Sequence, residues 1–372
     1  MKAFADDARH VGRKLAMTIG RFFPRPMKSL TYVTERQSWA IAGEGAGIRS
    51  AILKIEPRFQ MHISSRPYLS KSLMFHFGSQ FMVENWLTLL PKDRKVIVSY
   101  FHGKFGDGRE IDRNLRFLLD HSSRLDRVIV SFEKMRHQLI SLGLAEKSIV
   151  RIPIGVSTDV FAPKNSPLRQ LEIRDRLGIP EDHFVIGSFQ KDGEGWGDGL
   201  APKHIKGPDL LLQTLEMVSR KLPIFVLLSG PSRGYVVQGL KLAGIPYKHL
   251  LVDDHRDLAP MYHALDLYLM TSREEGGPKG LLEALASGCP VVSTPVGMAQ
   301  DLITCSNSNS FKVSDTISVA ELSELTIEIG SEGDRFSGQE DLSALVQHCS
   351  WINVGQEHFQ KVYEPLLAKL ST

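Results

Sequence analysis

Arg273-Glu-Glu-Gly-Gly-Pro-Lys-Gly-Leu-Leu-Glu283-Ala-Leu-Ala-Ser-Gly-Cys-Pro-Val-Val-Ser-Thr-Pro-Val-Gly297 is the stretch that decides how this chain folds. Apolar residues lead into it from Leu265 to Met270. A polar, glycine-rich turn follows, then a helix-like run, Leu281 to Ala286, closed by Gly288. A second apolar strand starts after Pro290. The order is strand, turn, helix, strand. In an open parallel sheet such a turn sits where ligands are presented. The helix start offers backbone N–H groups to an anion. Glu275 and Glu283 frame the turn, with seven residues between them.

Working outward, apolar strand-like runs recur with helical segments between them. In the first half they are Leu30–Thr34, Gln60–Ser64, Leu73–Phe77, Val96–Tyr100, Arg127–Ser131 and Ile149–Ile152. In the second half they are Phe184–Phe189, Ile224–Ser229, His249–Val252, Leu265–Met270 and Pro290–Thr294. Such alternation argues for parallel sheets with right-handed crossovers, and two sets of strands argue for two Rossmann-like domains. A length of 372 residues agrees with two domains. The boundary is expected within residues 155–180. There Gly155-Val-Ser-Thr-Asp-Val-Phe161 runs into a polar segment, and a short helix, Leu171 to Leu177, is stopped by Gly178 and Pro180. The domains expected are residues 1–165, residues 166–350, and a last helix in 351–372.

Composition excludes several classes. A hydrophobic fraction of 42% supplies two ordinary cores. No apolar run is long enough to span a bilayer. A net charge of +3 is too small to imply nucleic acid as a partner. The three cysteines, Cys289, Cys305 and Cys349, form neither a disulfide framework nor a metal-ligand spacing. A reducing, cytoplasmic compartment is expected. Residues 1–28 carry Lys2, Arg9, Arg13, Lys14, Arg21, Arg25 and Lys28 beside Phe4, Ala8, Val11, Leu15, Ile19 and Phe22 at helical spacing. That pattern suits either a helix packed on its own domain or one lying on an anionic membrane surface.

Glu275 and Glu283, the latter opening the run Glu283-Ala-Leu-Ala-Ser-Gly-Cys-Pro-Val-Val292, resemble the E-x7-E signature of retaining glycosyltransferases of the two-domain GT-B fold. The likeness is to family 4, the nucleotide-sugar-dependent group 1 type. Gly155 to Phe161 resembles that family's interdomain linker. The resemblance covers the second half well and the first loosely. It implies two Rossmann-like domains facing each other across a cleft, with a last helix returning to the first domain. It also implies transfer of a sugar from a nucleotide-diphosphate sugar to a saccharide or lipid-linked acceptor, as in surface polysaccharide synthesis. No separate cofactor and no metal are then required.

The resemblance also assigns residues. Glu283 should hold the ribose hydroxyls, because one carboxylate accepts two such bonds. Glu275 should lie near the transferred sugar. The diphosphate should rest on the turn and helix start, Gly276, Gly277, Lys279, Gly280, Leu281 and Leu282, where the dipole favours an anion. Lys206-Gly207 resembles the family's phosphate-binding Lys-Gly. The usual partner arginine is absent, since Ser188 stands at its place, and Lys191 or Lys203 takes that role. Between them lies Asp192-Gly-Glu-Gly-Trp-Gly-Asp-Gly199, expected to be a mobile flap over the donor. Neither Gly193-x-Gly195-x-x-Asp198 nor Gly43-x-Gly45-x-x-Ile48 completes a dinucleotide fingerprint. His102, at the end of the strand Val96–Tyr100, should face the donor sugar or acceptor. Lys104, Asp107, Arg109, Asp112 and Ser131 are further acceptor-side candidates. The first loop, Thr34 to Trp39, departs from the family's Gly-Gly turn. An epimerase or phosphorylase on the same architecture, or a non-catalytic nucleotide-sugar-binding subunit, are the alternatives.

Overall fold

A computed structural model describes residues 29–35, 40–163, 167–306, 309–331 and 339–370. The basic segment 1–28 and most of the atypical first loop lie outside those residues. Two compact units emerge, one reaching to Gly155 and resuming at Trp351, the other Val156–Ser350.

The first unit carries a six-stranded, all-parallel sheet. Its strands are β1 (Ser29–Val33), β2 (Gln60–Ser64), β3 (Met74–Phe77), β4 (Lys95–Ser99), β5 (Arg127–Val130) and β6 (Ile149–Arg151), in the order β2-β1-β3-β4-β5-β6. The second sheet is also parallel. It comprises β7 (Phe184–Phe189), β8 (Ile224–Ser229), β9 (Tyr247–Leu250), β10 (Leu267–Met270), β11 (Val291–Ser293) and β12 (Phe311–Val313), ordered β12-β11-β10-β7-β8-β9. Counted within its own half, that is the doubly wound order 6-5-4-1-2-3, with its topological switch between β7 and β10. Ligands bind outside the carboxyl ends of strands at such a switch, because the connections diverge there and open a crevice. The loops that follow β7 and β10 are therefore the ones that matter.

Inner strands of these sheets are buried on both faces, so they read as apolar runs rather than alternations. β7, β8, β10 and β11 are buried at every position. Phe184, Ile186, Leu211, Leu215, Val226 and Leu267 build the second core. In the first unit Leu30, Tyr32, Ile48, Ile52 and Ile97 pack with Val354, Val362 and Leu366 from the C-terminal helices. Gly47 and Gly155 make room for Trp351, whose ring lies 2.4 and 2.2 Å from where their Cβ atoms would stand. Among the described residues, no helix is long and apolar enough to cross a membrane.

One polar cluster lies inside this first core. The His76 ring is bonded to Tyr363 Oη at 2.7 Å and to Ser99 Oγ at 2.8 Å, and stacks on His358 at 5.9 Å. His358 Nδ1 donates to the Val354 carbonyl at 2.8 Å. Burial holds His76 well below the ordinary histidine range, with His358 adding to the effect. Burial likewise pushes His358 down to about 4. The folded state thus keeps both rings neutral, while the unfolded chain protonates them near 6.5. Their stabilisation is full above that value and is lost as pH falls toward the folded values. We expect unfolding free energy to drop by about 3 kcal/mol between pH 7 and pH 4 through His358 alone. Urea titrations at several pH values should show this, and His358→Leu should flatten the slope. An unchanged slope in the variant would contradict it.

Candidate functional site

The loop after β7 reaches Lys206 through a short 3-10 turn, His204–Lys206. Gly207 then turns left-handed (φ 63°) into the helix Pro208–Ser219. A Cβ on Gly207 would fall 1.9 Å from the Thr271 carbonyl oxygen, so only glycine permits this approach. Thr271 Oγ1 donates to the Gly207 carbonyl at 2.9 Å. Arg273 grips both Asp209 carboxylate oxygens at 2.7 and 2.6 Å, and its backbone N–H donates to the Ile205 carbonyl. Asp209 is held below the usual carboxylate range by that bidentate bond. The loops after β7 and β10 are thereby fastened together at the switch point.

Their junction brings charge together. Lys206 Nζ pairs with the Glu275 carboxylate, which also accepts from Ser272 Oγ at 3.0 Å. Gln190 donates to the Lys206 carbonyl at 3.1 Å. Gly297 closes the floor, since a Cβ there would meet the carbonyl oxygens of Glu275 and Gly276 at 2.6 and 2.7 Å. Lys203 is shifted below the ordinary lysine range by partial burial and then by the like charges of Lys206 and Lys191. Three of the expected lysines therefore share one electrostatic neighbourhood. Lys191 donates to the Gly193 carbonyl and lies over the Trp196 ring, 4.8 Å from its centroid.

The helix Lys279–Ala286 starts after Pro278. The amides of Leu281 and Leu282 donate to the Pro278 carbonyl, and both side chains are buried. Gly280 lies against Tyr268, whose hydroxyl would stand 2.2 Å from an added Cβ. One turn on, Glu283 is 4% exposed. Its Oε2 accepts from Tyr262 Oη at 2.9 Å, and its Oε1 meets His255 Nε2 at 2.5 Å. Glu283 pushes His255 above the ordinary histidine range. Tyr262 is buried and driven well above the usual phenol range by burial and by Glu283.

Two features were not foreseen in the sequence. Arg233 is completely buried and spans the base of the β7 loop. It donates to the carbonyls of Ser188, Gln190 and Ser229 at 2.9, 2.8 and 3.2 Å, and its Nε lies 3.2 Å from Asp192 Oδ2. Burial pushes Asp192 up, and Arg233 opposes the shift. The anchoring of the glycine-rich segment at its two ends is the second. Gly234 and Tyr235 donate to the Asp198 and Gly199 carbonyls at 2.7 and 2.8 Å. Ser232 Oγ donates to the Gly197 carbonyl at 2.9 Å, and Ser232 itself takes the left-handed backbone (φ 56°). Cβ atoms on Gly193 and Gly199 would lie 2.4 and 2.1 Å from the Ser232 carbonyl oxygen. Glycine at 193 and 199 thus serves close backbone packing, whereas a Cβ on Gly195 or Gly197 would meet nothing within 4 Å, and residues 194–198 between the two ends are exposed.

Of the remaining candidates, His102 belongs to the first unit, with its ring 5.6 Å from Phe81 and its carbonyl accepting from Gln80. Asp107 and Asp112 accept from the amides of Lys104 and Gly106, which shapes their own loop. Among the described residues, no group of His, Cys, Asp or Glu is arranged to hold a metal ion.

Comparison with known proteins bears on the family and the fold. Residues 199–328 match the family described as glycosyl transferases group 1. The chain is 28% identical to the lipopolysaccharide core biosynthesis mannosyltransferase LpsB of Rhizobium meliloti over 40% of its own length and 41% of that protein. It is 30% identical to D-inositol 3-phosphate glycosyltransferase 1 of Catenulispora acidiphila, over 48% of this chain and 43% of that one. The matches thus span less than half of these relatives. Among solved structures, Anabaena Alr3699/HepE in complex with UDP and glucose superposes with a TM-score of 0.71 at 16% identity, covering 91% of this chain and 99% of that one. Sucrose-phosphate synthase from Thermosynechococcus elongatus gives 0.69 at 14% identity, covering 92% and 100%. The shared fold is GT-B, with two Rossmann-like domains.

Proposed function

We propose that this protein, whose residues 199–328 fall among the group 1 glycosyl transferases, moves a sugar from a nucleotide-diphosphate sugar to a saccharide or lipid-linked acceptor. The observation that carries the reading is the convergence of Lys203, Lys206 and Lys191 beside Glu275, at the switch point of the second sheet. Like charges held near one another are costly unless an anion is to join them. A leaving diphosphate is such an anion, and preorganised cations stabilise the charge it develops as the glycosidic bond breaks.

In this reading Lys206 turns from Glu275 to the phosphates when the donor arrives. Glu275, still held by Ser272, then faces the transferred sugar. Lys203 serves as the second phosphate lysine, since Lys191 is engaged with Gly193 and Trp196. Glu283 takes the ribose hydroxyls, and His102 contributes from the first unit toward sugar or acceptor. Retention of configuration and metal independence belong to the same proposal. So does action in the cytoplasm, with residues 1–28 either packed on their own domain or lying on an anionic membrane surface.

UDP-, GDP- and ADP-sugars, each incubated with the protein and a panel of saccharide acceptors, provide the test. One of them should release its nucleoside diphosphate, at a rate unchanged by EDTA, and NMR should show the anomeric configuration kept. Complete loss of activity in EDTA would contradict metal independence. Release dependent on inorganic phosphate would favour a phosphorylase instead.

A further inference from the structure

Glu283 has two partners of different character. Tyr262 is buried and fixed, and packs edge-on against Phe189 and Phe161. His255 stands on the short turn His255–Asp257, and its side chain is 60% exposed. A buried carboxylate must keep hydrogen-bond donors. Of these two donors, only the histidine lies on the water side and is able to leave.

We propose that His255 gates the ribose-binding carboxylate, occupying Glu283 Oε1 in the nucleotide-free protein and yielding it to a ribose hydroxyl when a nucleoside diphosphate binds. The proposal rests on the reading of Glu283 as the ribose holder. A vicinal diol brings two O–H donors, and the buried carboxylate presents one oxygen already bonded to Tyr262 and one closed by the imidazole. Oε2 has a second lone pair to offer, but Oε1 is covered from the exposed side. The ring has modest packing to hold it, being edge-on to Phe161 at 5.7 Å. The charged groups around it are Glu283, Lys279 and Asp254, and Asp254 is itself gripped by Arg256 at 3.0 Å. Glu283 and Asp254 favour the protonated ring, whereas Lys279 opposes it. Displacing the ring from Glu283 removes the larger of the two influences that favour its proton. Nucleotide binding should therefore release a proton from His255, and affinity should rise with pH through its titration, above 6.5.

The test is calorimetric titration of UDP, GDP and ADP at pH 6.5 and pH 9, with wild type, His255→Ala and His255→Phe. Wild-type affinity for the preferred diphosphate should rise about three- to tenfold between the two pH values, as expected for losing one charge-assisted bond to a half-exposed partner. Both variants should bind more tightly than wild type at pH 6.5 and show a flatter profile. The diphosphate's own titration is common to all three proteins and cancels in the comparison. The direction is diagnostic, because simply deleting a positive charge near a diphosphate would weaken binding. In wild type, the His255 resonance followed by NMR should show its pKa falling when nucleotide saturates the site, and this holds whether or not a variant folds. Binding with the same pH slope in all three proteins, and no shift of the His255 resonance, would overturn the gate while leaving the donor site intact. If wild type bound no diphosphate at all, the donor-site reading would fail and the gate with it.

Discussion

Lys206→Ala should lower kcat/KM for sugar transfer by about 10²- to 10³-fold and leave the fold intact. The magnitude is that of removing one preorganised group from developing transition-state charge. The loss should lie mainly in kcat, because the charge on the leaving diphosphate grows as the bond breaks. Stability should change by no more than about 1 kcal/mol, because the Lys206–Glu275 pair is only partly buried and Glu275 keeps Ser272. Lys206→Arg should recover part of the rate, since the charge is kept though its shape differs. Wild-type kinetics in the alanine variant would remove this residue from the site.

The second large effect is on stability. Arg233→Ala should cost the second unit about 3–5 kcal/mol, because Asp192 is left charged and buried without its partner. For a unit of this size that corresponds to a fall in melting temperature of roughly 6–20 °C. The carbonyls of Ser188, Gln190 and Ser229, at the ends of β7 and β8, also lose this donor. Nucleotide binding should weaken together with stability. Arg233→Met combined with Asp192→Leu should be far milder than the single change, because no orphaned charge remains. Equal melting temperatures for wild type and Arg233→Ala would contradict the buried pair's role.

The inner strands were legible because parallel sheets bury both faces, so each appears as an apolar run, while the edge strand β2 shows only Met61 and Ile63 in alternation. Gln60–Ser64, Phe184–Phe189 and Ile224–Ser229 are the observed spans of β2, β7 and β8. β12 escaped notice, since three residues, Phe311–Val313, carry too little pattern to stand out. The pairing of Lys206 with Glu275 follows from strand order, which sets the loops after β7 and β10 side by side.

What surrounds those residues was not legible. Arg233 reads as one more surface arginine at a turn, and only the buried Asp192 across the loop gives it meaning. His255 and Tyr262 reach Glu283 from 28 and 21 residues away, with no periodicity to announce it. The anchoring of the glycine-rich segment was not legible either, because glycine permits both motion and close contact. The Ser232 carbonyl against Gly193 and Gly199 shows that contact is the use of glycine at these two ends.

The account stands on where the diphosphate rests. A crystal soaked with UDP, GDP or ADP should show its phosphates within hydrogen-bonding distance of Lys206 Nζ and the first-turn amide of Gly280, with the ribose against Glu283. Phosphate density elsewhere on the protein, with Lys206 still paired to Glu275, would contradict it.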